Sequence, residues 1–281
     1  MGISIVSNVS SLNGQRQLSK TQRSLDSSLQ RLTSGFRINS AMDDAAGLGV
    51  SEQMRAQIRG LSQAARNAND GLSVVQTAES AMGEISGVLI RMRELTVQSA
   101  SDSISDTERD YLDTEFQELI LEINRIAATT KFNGNVLLNG AFAAGTGDLD
   151  FQVGIESGAN FKITVNIDNV SVSGLGFAGG EDVKTKATSL SAMNKLDSAL
   201  KTLSTARSNI GAKGNRLQVA GSAAEIMREN LSAANSRIRD TDVAHETSVL
   251  SRTQVLMQAG TAMLAQANQQ PQMALALIGG G

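Results

Sequence analysis

Apolar residues recur at helical spacing over most of this chain. From Ala45 to about Ser99, Leu61, Ala68, Val75, Met82 and Leu89 repeat every seven positions. Ile58, Ala65 and Leu72 lie on one flank of that row and Ala78, Ile85 and Met92 on the other. So broad a stripe belongs to a helix packed inside a bundle. Unbroken, it would run roughly 80 Å at ~1.5 Å per residue. A second long row begins after a helix start near Ala187: Leu196, Leu203, Ile210, Leu217, Ala224, Leu231 and Ile238 keep a strict seven-residue period, the mark of a long packed helix. Gly211 and Gly214 are expected to loosen it locally. Between the two rows, Ser105-Asp-Thr-Glu108 has the form of a capping box and opens a helix carrying Leu112, Phe116, Leu119, Ile123 and Ile126.

The two ends are thinner. Residues 1–35 read as a helix with a narrow stripe of Ile5, Val9 and Leu12, then Leu18, Leu25, Leu29 and Leu32, interrupted at Gly35. From about Val243, Val249, Leu256 and Met263 form one row and Leu250, Met257 and Leu264 the adjacent one. The period changes to two in the middle. Phe151, Val153 and Ile155, then Phe161, Ile163, Val165 and Ile167, flank Ser157-Gly-Ala-Asn160 and predict a β-hairpin. Gly-rich stretches at 140–147 and 174–180 bracket it, and Lys131-Phe-Asn-Gly134 reads as a turn.

The pattern is thus nearly mirror-like: thin helix, thick helices, short β insert, thick helix, thin helix. Burying one Leu contributes only ~1.5–3 kcal/mol, against ~1–2 kcal/mol of backbone entropy per ordered residue. Thin ends therefore need partners, and the simplest are each other and further copies of the chain.

Composition narrows the class. The chain has 281 residues with 41% hydrophobic residues but only 3% aromatic, no Trp and a single Pro, at Pro271. Such a chain sustains long helices and suits thin helix-on-helix seams better than an aromatic-lined pocket. A net charge of −3 gives no electrostatic case for nucleic acid. No apolar run approaches the ~20 residues of a membrane span. The start, Met1-Gly-Ile-Ser-Ile-Val, lacks the basic and apolar regions of a secretory signal peptide. With no cysteine, disulfides, thiolate catalysis and Cys-based metal sites are excluded.

Candidate chemistry is sparse. The one His, His245, precedes Glu246, but the zinc-protease pattern needs a second His where Val249 stands. Asp43-Asp44 could suggest a metal site, yet an acidic pair complementing a helix N-terminus is the better account. Asn8, Asn169 and Asn230 open three-residue glycosylation patterns, a weak signal. No catalytic residue, metal or cofactor is expected.

Longer motifs carry a resemblance. Arg31-Leu-Thr-Ser-Gly-Phe-Arg-Ile-Asn-Ser-Ala-Met-Asp-Asp-Ala-Ala-Gly-Leu48 and Ala56-Gln-Ile-Arg-Gly-Leu-Ser-Gln-Ala-Ala-Arg-Asn-Ala-Asn-Asp-Gly71 resemble the N-terminal signature of bacterial flagellins. Arg91-Met-Arg-Glu-Leu-Thr-Val-Gln98 and Phe132-Asn-Gly134 follow in the same order. Asn235-Ser-Arg-Ile-Arg-Asp-Thr-Asp242 and Gln258-Ala-Gly-Thr-Ala-Met-Leu-Ala-Gln-Ala-Asn-Gln269 resemble the C-terminal signature. The match covers roughly residues 1–140 and 187–278.

The resemblance implies a mainly α, long-helix coiled-coil rod with a small β-hairpin region at about 141–186, too short for a variable outer domain. It also implies a discontinuous two-domain architecture. Residues 1–40 and 241–281 would form the terminal coiled coil of a filament core, and 41–240 the helical rod. The function implied is that of a non-enzymatic subunit of the extracellular flagellar filament, exported unfolded by the flagellar type III apparatus. A hook–filament junction protein is the alternative. Expected partners are the chain itself, an export chaperone at the C-terminal segment, the filament cap and hook-junction proteins, and the vertebrate Toll-like flagellin receptor. By resemblance, the receptor residues are Arg91, Leu95 and Glu115, with Ile90 where receptor-active members often carry Gln. The polymerisation seam is expected to comprise Ile5, Val9, Leu12, Leu18, Val249, Leu250, Leu256, Met257, Met263 and Leu264, facing one another or neighbouring subunits.

Overall fold

The structure is a computed structural model and describes residues 8–177 and 180–279, with side chains of the last helix described as far as Gln269. Five helices carry most of the chain: α1 (Val9–Ser34), α2 (Ala45–Ser99), α3 (Asp106–Thr129), α4 (Lys186–Arg239) and α5 (Val243–Gly279). The chain divides into two compact units. One comprises Met1–Ala56 with Asn230–Gly281, and the other Gln57–Glu229.

In the second unit the heptad rows meet as their spacing predicts. Ala78, Met82, Ile85, Leu89 and Met92 of α2 are completely buried, as are Leu196, Ala199 and Leu217 of α4. Gly214 lies in close contact with α2: a Cβ there would lie 3.0 Å from Val75 Cγ1. It is a packing glycine, so the expectation that it loosens α4 is corrected. At Gly211 a Cβ would meet nothing within 4 Å. α3 starts on the expected capping box: the Ser105 hydroxyl accepts from the Glu108 N–H, and Glu108 Oε2 accepts from the Ser105 N–H at 2.8 Å. The Ser105 N–H, and then the Ser105 hydroxyl, hold the Glu108 carboxyl below its ordinary value. Phe116 and Ile123 carry α3 into the core.

The Lys131-Phe-Asn-Gly segment is more than a turn. β1 (Lys131–Phe132) pairs antiparallel with β2 (Asn135–Val136) across Asn133 and Gly134, both at positive φ, the two-residue geometry that favours Asn-Gly. The expected larger hairpin forms between β3 (Leu149–Gln152) and β4 (Lys162–Val165), with Phe151 opposite Ile163. It is shorter than the alternation suggested. Ile155 lies beyond the strand and is partly exposed, and a 3-10 turn at Ala159–Phe161 precedes β4. Phe151 seats against Gly71 of α2, where an added Cβ would lie 3.0 Å from the ring.

The return from β4 to α4 contributes more core than its Gly content implied. Ile167, Val170, Val172, Leu175, Phe177 and Val183 are all buried without forming a strand. Their backbone is satisfied piecemeal: Ile167 N–H donates to Phe142 O, Val170 N–H to Leu138 O, and Val183 N–H to the buried Asp113 carboxylate at 3.0 Å.

The first unit is the antiparallel pair α1 and α5 with the two connections beside it. Those connections interlock. Phe36 and Asp240 form an antiparallel bridge, Arg37 N–H donates to Arg239 O at 2.6 Å, and Thr241 N–H donates to Gly35 O at 3.0 Å. The Arg37 guanidinium donates to Arg237 O and Ile238 O, taking up carbonyls that the end of α4 leaves free. Arg239 stacks on the Phe36 ring at 4.6 Å and donates to Glu52 at 2.7 Å. The acidic pair serves local structure. Asp44 Oδ1 accepts from Gly47 N–H at the start of α2, and Asp43 accepts from the N–H groups of Asn39 and Ser40.

Candidate functional site

The terminal helix pair is unusual in what it buries. Among the described residues of α1 and α5, the fully buried positions are Ser11, Ser28, Glu246 and Thr253. No apolar side chain there is fully covered. Two small-into-large contacts set the approach: Gly14 faces Leu264 and Gly260 faces Leu18, with added Cβ atoms at 2.9 and 3.1 Å from the leucine methyls. Just beyond them, at the start of α1, Asn8 Nδ2 donates to Ala267 O at 2.9 Å.

The expected seam set therefore divides. Leu18, Val249, Leu250, Met257 and Leu264 are half-buried. Val9, Leu12, Leu256 and Met263 are exposed, at 60%, 55%, 54% and 70%. Ile5 lies outside the described residues. Helical geometry explains the division. Leu12 and Leu18 are six residues apart, about 240° around a helix at about 100° per residue, so they cannot share one face. The single stripe expected from Val9 through Leu32 is thus corrected: Leu18 turns to α5, while Val9 and Leu12 turn outward. On α5 the row of Leu250, Met257 and Leu264 faces α1. The row of Val249, Leu256 and Met263 is rotated about 100° from it and leaves the contact progressively.

The proposed receptor residues lie in the second unit. Arg91 and Glu115 form a surface pair joining α2 to α3: Arg91 Nε donates to Glu115 Oε1 at 2.9 Å, and a second nitrogen lies 3.1 Å from Glu94. Glu115 first and Glu94 second raise the Arg91 pKa above its ordinary value. Both partners stay about half exposed, at 49% and 43% of the side chain. Leu95 is different. It is completely buried in the core with Met92 and Phe116, so it has no surface to offer a partner, and its assignment as an apolar contact is corrected to a packing role. Ile90, the departure beside the motif, is 50% exposed.

Sequence reasoning did not find the interlocked connections, in which Phe36, Arg37 and Arg239 carry the geometry. Their signal was present as Gly35 and the Arg-Ile-Arg-Asp run. The pairing of positions about 200 residues apart was not visible. His245 is exposed, and no group of His, Asp and Glu suited to a metal occurs among the described residues. No helix among them is long and apolar enough to cross a membrane.

Comparison with known proteins gives these surfaces their context. The bacterial flagellin N-terminal helical region matches residues 5–143, and the bacterial flagellin C-terminal helical region matches residues 193–278. A flagellin of Halalkalibacterium halodurans is 43% identical over 272 residues, covering 96% of this chain and 98% of that protein. The flagellar filament 33 kDa core protein of Treponema phagedenis is 40% identical over 280 residues, covering 96% and 98%. Among solved structures, Bacillus cereus flagellin aligns with a TM-score of 0.50 and 33% identity over 57% of this chain and 88% of that one. A putative flagellar hook-associated protein of Vibrio parahaemolyticus, 15% identical with a TM-score of 0.55 over 71% and 98%, shares the fold alone. The chain belongs to the bacterial flagellin family and is a structural subunit of the extracellular flagellar filament, not a member of an enzyme family.

Proposed function

We propose that this chain polymerises through its terminal helix pair, with residues 1–40 and 241–281 as the filament's inner coil and 41–240 as the surrounding rod. One observation carries the proposal. α1 and α5 pack together yet leave Val9, Leu12, Leu256 and Met263 largely in water. Covering such side chains is the main gain available to a second copy, at ~1.5–3 kcal/mol for each one fully buried. The hook–filament junction alternative finds support only in a shared fold, whereas the filament proteins match in sequence over nearly the whole chain.

The other parts of the reading rest on family resemblance. Export proceeds through the flagellar type III apparatus with the chain unfolded. The export chaperone would take the α5 segment, whose exposed apolar row needs cover before assembly. The filament cap and hook-junction proteins complete the assembly partners. The Toll-like flagellin receptor of vertebrates would engage the Arg91–Glu115 surface, with Leu95 holding that part of α2 in place from within.

Deleting residues 250–281 tests the assembly mechanism. It removes Leu250, Leu256, Met257, Met263 and Leu264 and leaves the α4 row from Leu196 to Ala224 untouched. The truncated chain should remain helical with a cooperative melt by circular dichroism, and should form no filaments by sedimentation or electron microscopy. Filaments of normal length from it would refute terminal-helix assembly.

A further inference from the structure

The first unit contains an open cleft of about 1070 Å³ where α1, the end of α4 and the start of α5 come together. Its lining is almost wholly polar, Val249 being the one aliphatic contributor. Lys20, Arg23 and Arg31 enter it from α1. Their spacings of three and eight residues, with Ser24 and Ser27 between, place them along one helix face. Arg237 reaches the same space from α4.

The cations in this cleft are poorly matched by its acids. Lys20, Arg23 and Arg237 form no ion pair among the described residues. Arg31 has one loose contact, 3.7 Å to Glu246, and its Nε has no partner. Glu246 itself is 5% exposed and one of its oxygens also lacks a partner. Asp242 is engaged in accepting from the N–H groups of Ala244 and His245, where it caps α5. Asp240, Asp242 and the recessed Glu246 are outnumbered in the lining by Lys20, Arg23, Arg31, Arg37 and Arg237. Hydroxyls of Ser27, Ser28, Ser236 and Thr241 add neutral donors.

We infer that this cleft binds a phosphate-class oxyanion, free or as the terminal phosphate of a larger molecule. A tetrahedral dianion presents several acceptor oxygens at once, which suits forked guanidinium donors approaching from different helices with short hydroxyl donors between them. Bound there, the anion joins α1 to the α4–α5 connection. By linkage it stabilises the folded terminal pair, because the unfolded ends do not hold these cations together.

The test uses the full-length monomer, kept below its polymerisation threshold. Inorganic phosphate is titrated by calorimetry, at ionic strength held constant with NaCl, and hydrogen exchange is followed over residues 20–31 and 243–249. Wild type should bind saturably and gain protection in both segments. The triple variant Lys20→Gln, Arg23→Gln, Arg237→Gln should bind at least about tenfold more weakly. Asp240→Asn and Glu246→Gln, each removing an opposing charge, should bind more tightly, a change that a merely structural role would not produce. Should Glu246→Gln loosen the pair, Asp240→Asn, at a position with no described side-chain bond, still reports the sign. Vesicles of phosphatidylcholine with and without phosphatidic acid separate the sources. A preference for phosphatidic acid assigns a headgroup phosphate, and its absence alongside saturable phosphate binding assigns the free ion. No saturable binding by wild type, or equal binding by the triple variant, overturns the inference. A triple variant that raises the critical concentration for assembly while wild type binds no phosphate also overturns it, and gives the cleft to a second copy of the chain.

Discussion

Leu95 and Arg91 are four residues apart on α2, and the structure assigns them opposite physical roles. Leu95 has no exposed surface and packs in the same core as Met92 and Phe116. Leu95→Ala removes three buried carbons and leaves a cavity, at a cost of about 2.7–5 kcal/mol in comparable sites. For a unit of this size each kcal/mol shifts the melting midpoint by about 2–4 °C, so a fall of about 5–20 °C is expected. Arg91 is half exposed and its bonds to Glu115 and Glu94 are bathed in solvent. Arg91→Ala should leave the melting midpoint nearly unchanged. The assay pairs thermal denaturation by circular dichroism with activation of receptor-expressing cells, both on monomer and at a temperature where every variant is folded. Arg91→Ala should lose activation without losing stability. Leu95→Ala should lose stability, and lose activation only as its folded fraction falls. A Leu95→Ala protein melting with wild type would refute the burial argument. Full activation by Arg91→Ala would remove the Arg91–Glu115 surface from the receptor site.

Gly211→Ala should stabilise the chain by about 0.5–1 kcal/mol through helix propensity, since its Cβ meets nothing. Gly214→Ala should be neutral to destabilising, by up to about 2 kcal/mol, because its Cβ crowds Val75 and overpacking offsets that gain; urea denaturation of the pair checks the difference in sign. Acid should weaken both units. Asp43 and Glu108 are held below their ordinary 3.8 and 4.5 by donors from Ser40 and Ser105, and Glu52 below 4.5 by Arg239 and then Arg55. A carboxylate with a lowered folded pKa contributes its full stability above the unfolded value, and that contribution is lost as pH falls through the folded one. Denaturation at stepped pH should therefore show stability falling below about pH 4.5, and Glu52→Gln should flatten the part that arises in the first unit.

Much of the fold was legible because its helices obey strict periods. The rows on α2 and α4 fixed two long helices, and Ser105 with Glu108 fixed the start of α3. What stayed hidden depended on contacts distant in sequence. Gly214 reads as a helix breaker until Val75 is seen opposite it. The return segment reads as Gly-rich loop, yet Val170, Phe177 and Val183 are buried there, held by bonds to Leu138 O and Asp113 that no local period announces. At the candidate site, the terminal residues stand out in the sequence as apolar among polar neighbours, but their sorting between faces does not. A stripe judged by residue type merged Val9 and Leu12 with Leu18, although about 240° of rotation separates Leu12 from Leu18. Leu95 was drawn from a motif in which contact and packing residues are interleaved, and only burial separates them.

The central claim is that apolar side chains left uncovered on the terminal pair drive assembly. The most direct test is the critical concentration for filament growth of Leu256→Ser with Met263→Ser, measured by sedimentation beside wild type. Both side chains are more than half exposed in the single chain, so the variant should fold and melt as wild type does. Burial of the remaining surface would contribute about 1–2 kcal/mol for each side chain. At 1.4 kcal/mol per decade, the critical concentration should rise by about 30-fold to 700-fold, with few or no filaments at concentrations where wild type polymerises fully. An unchanged critical concentration, with filaments of normal length, would contradict assembly through these residues.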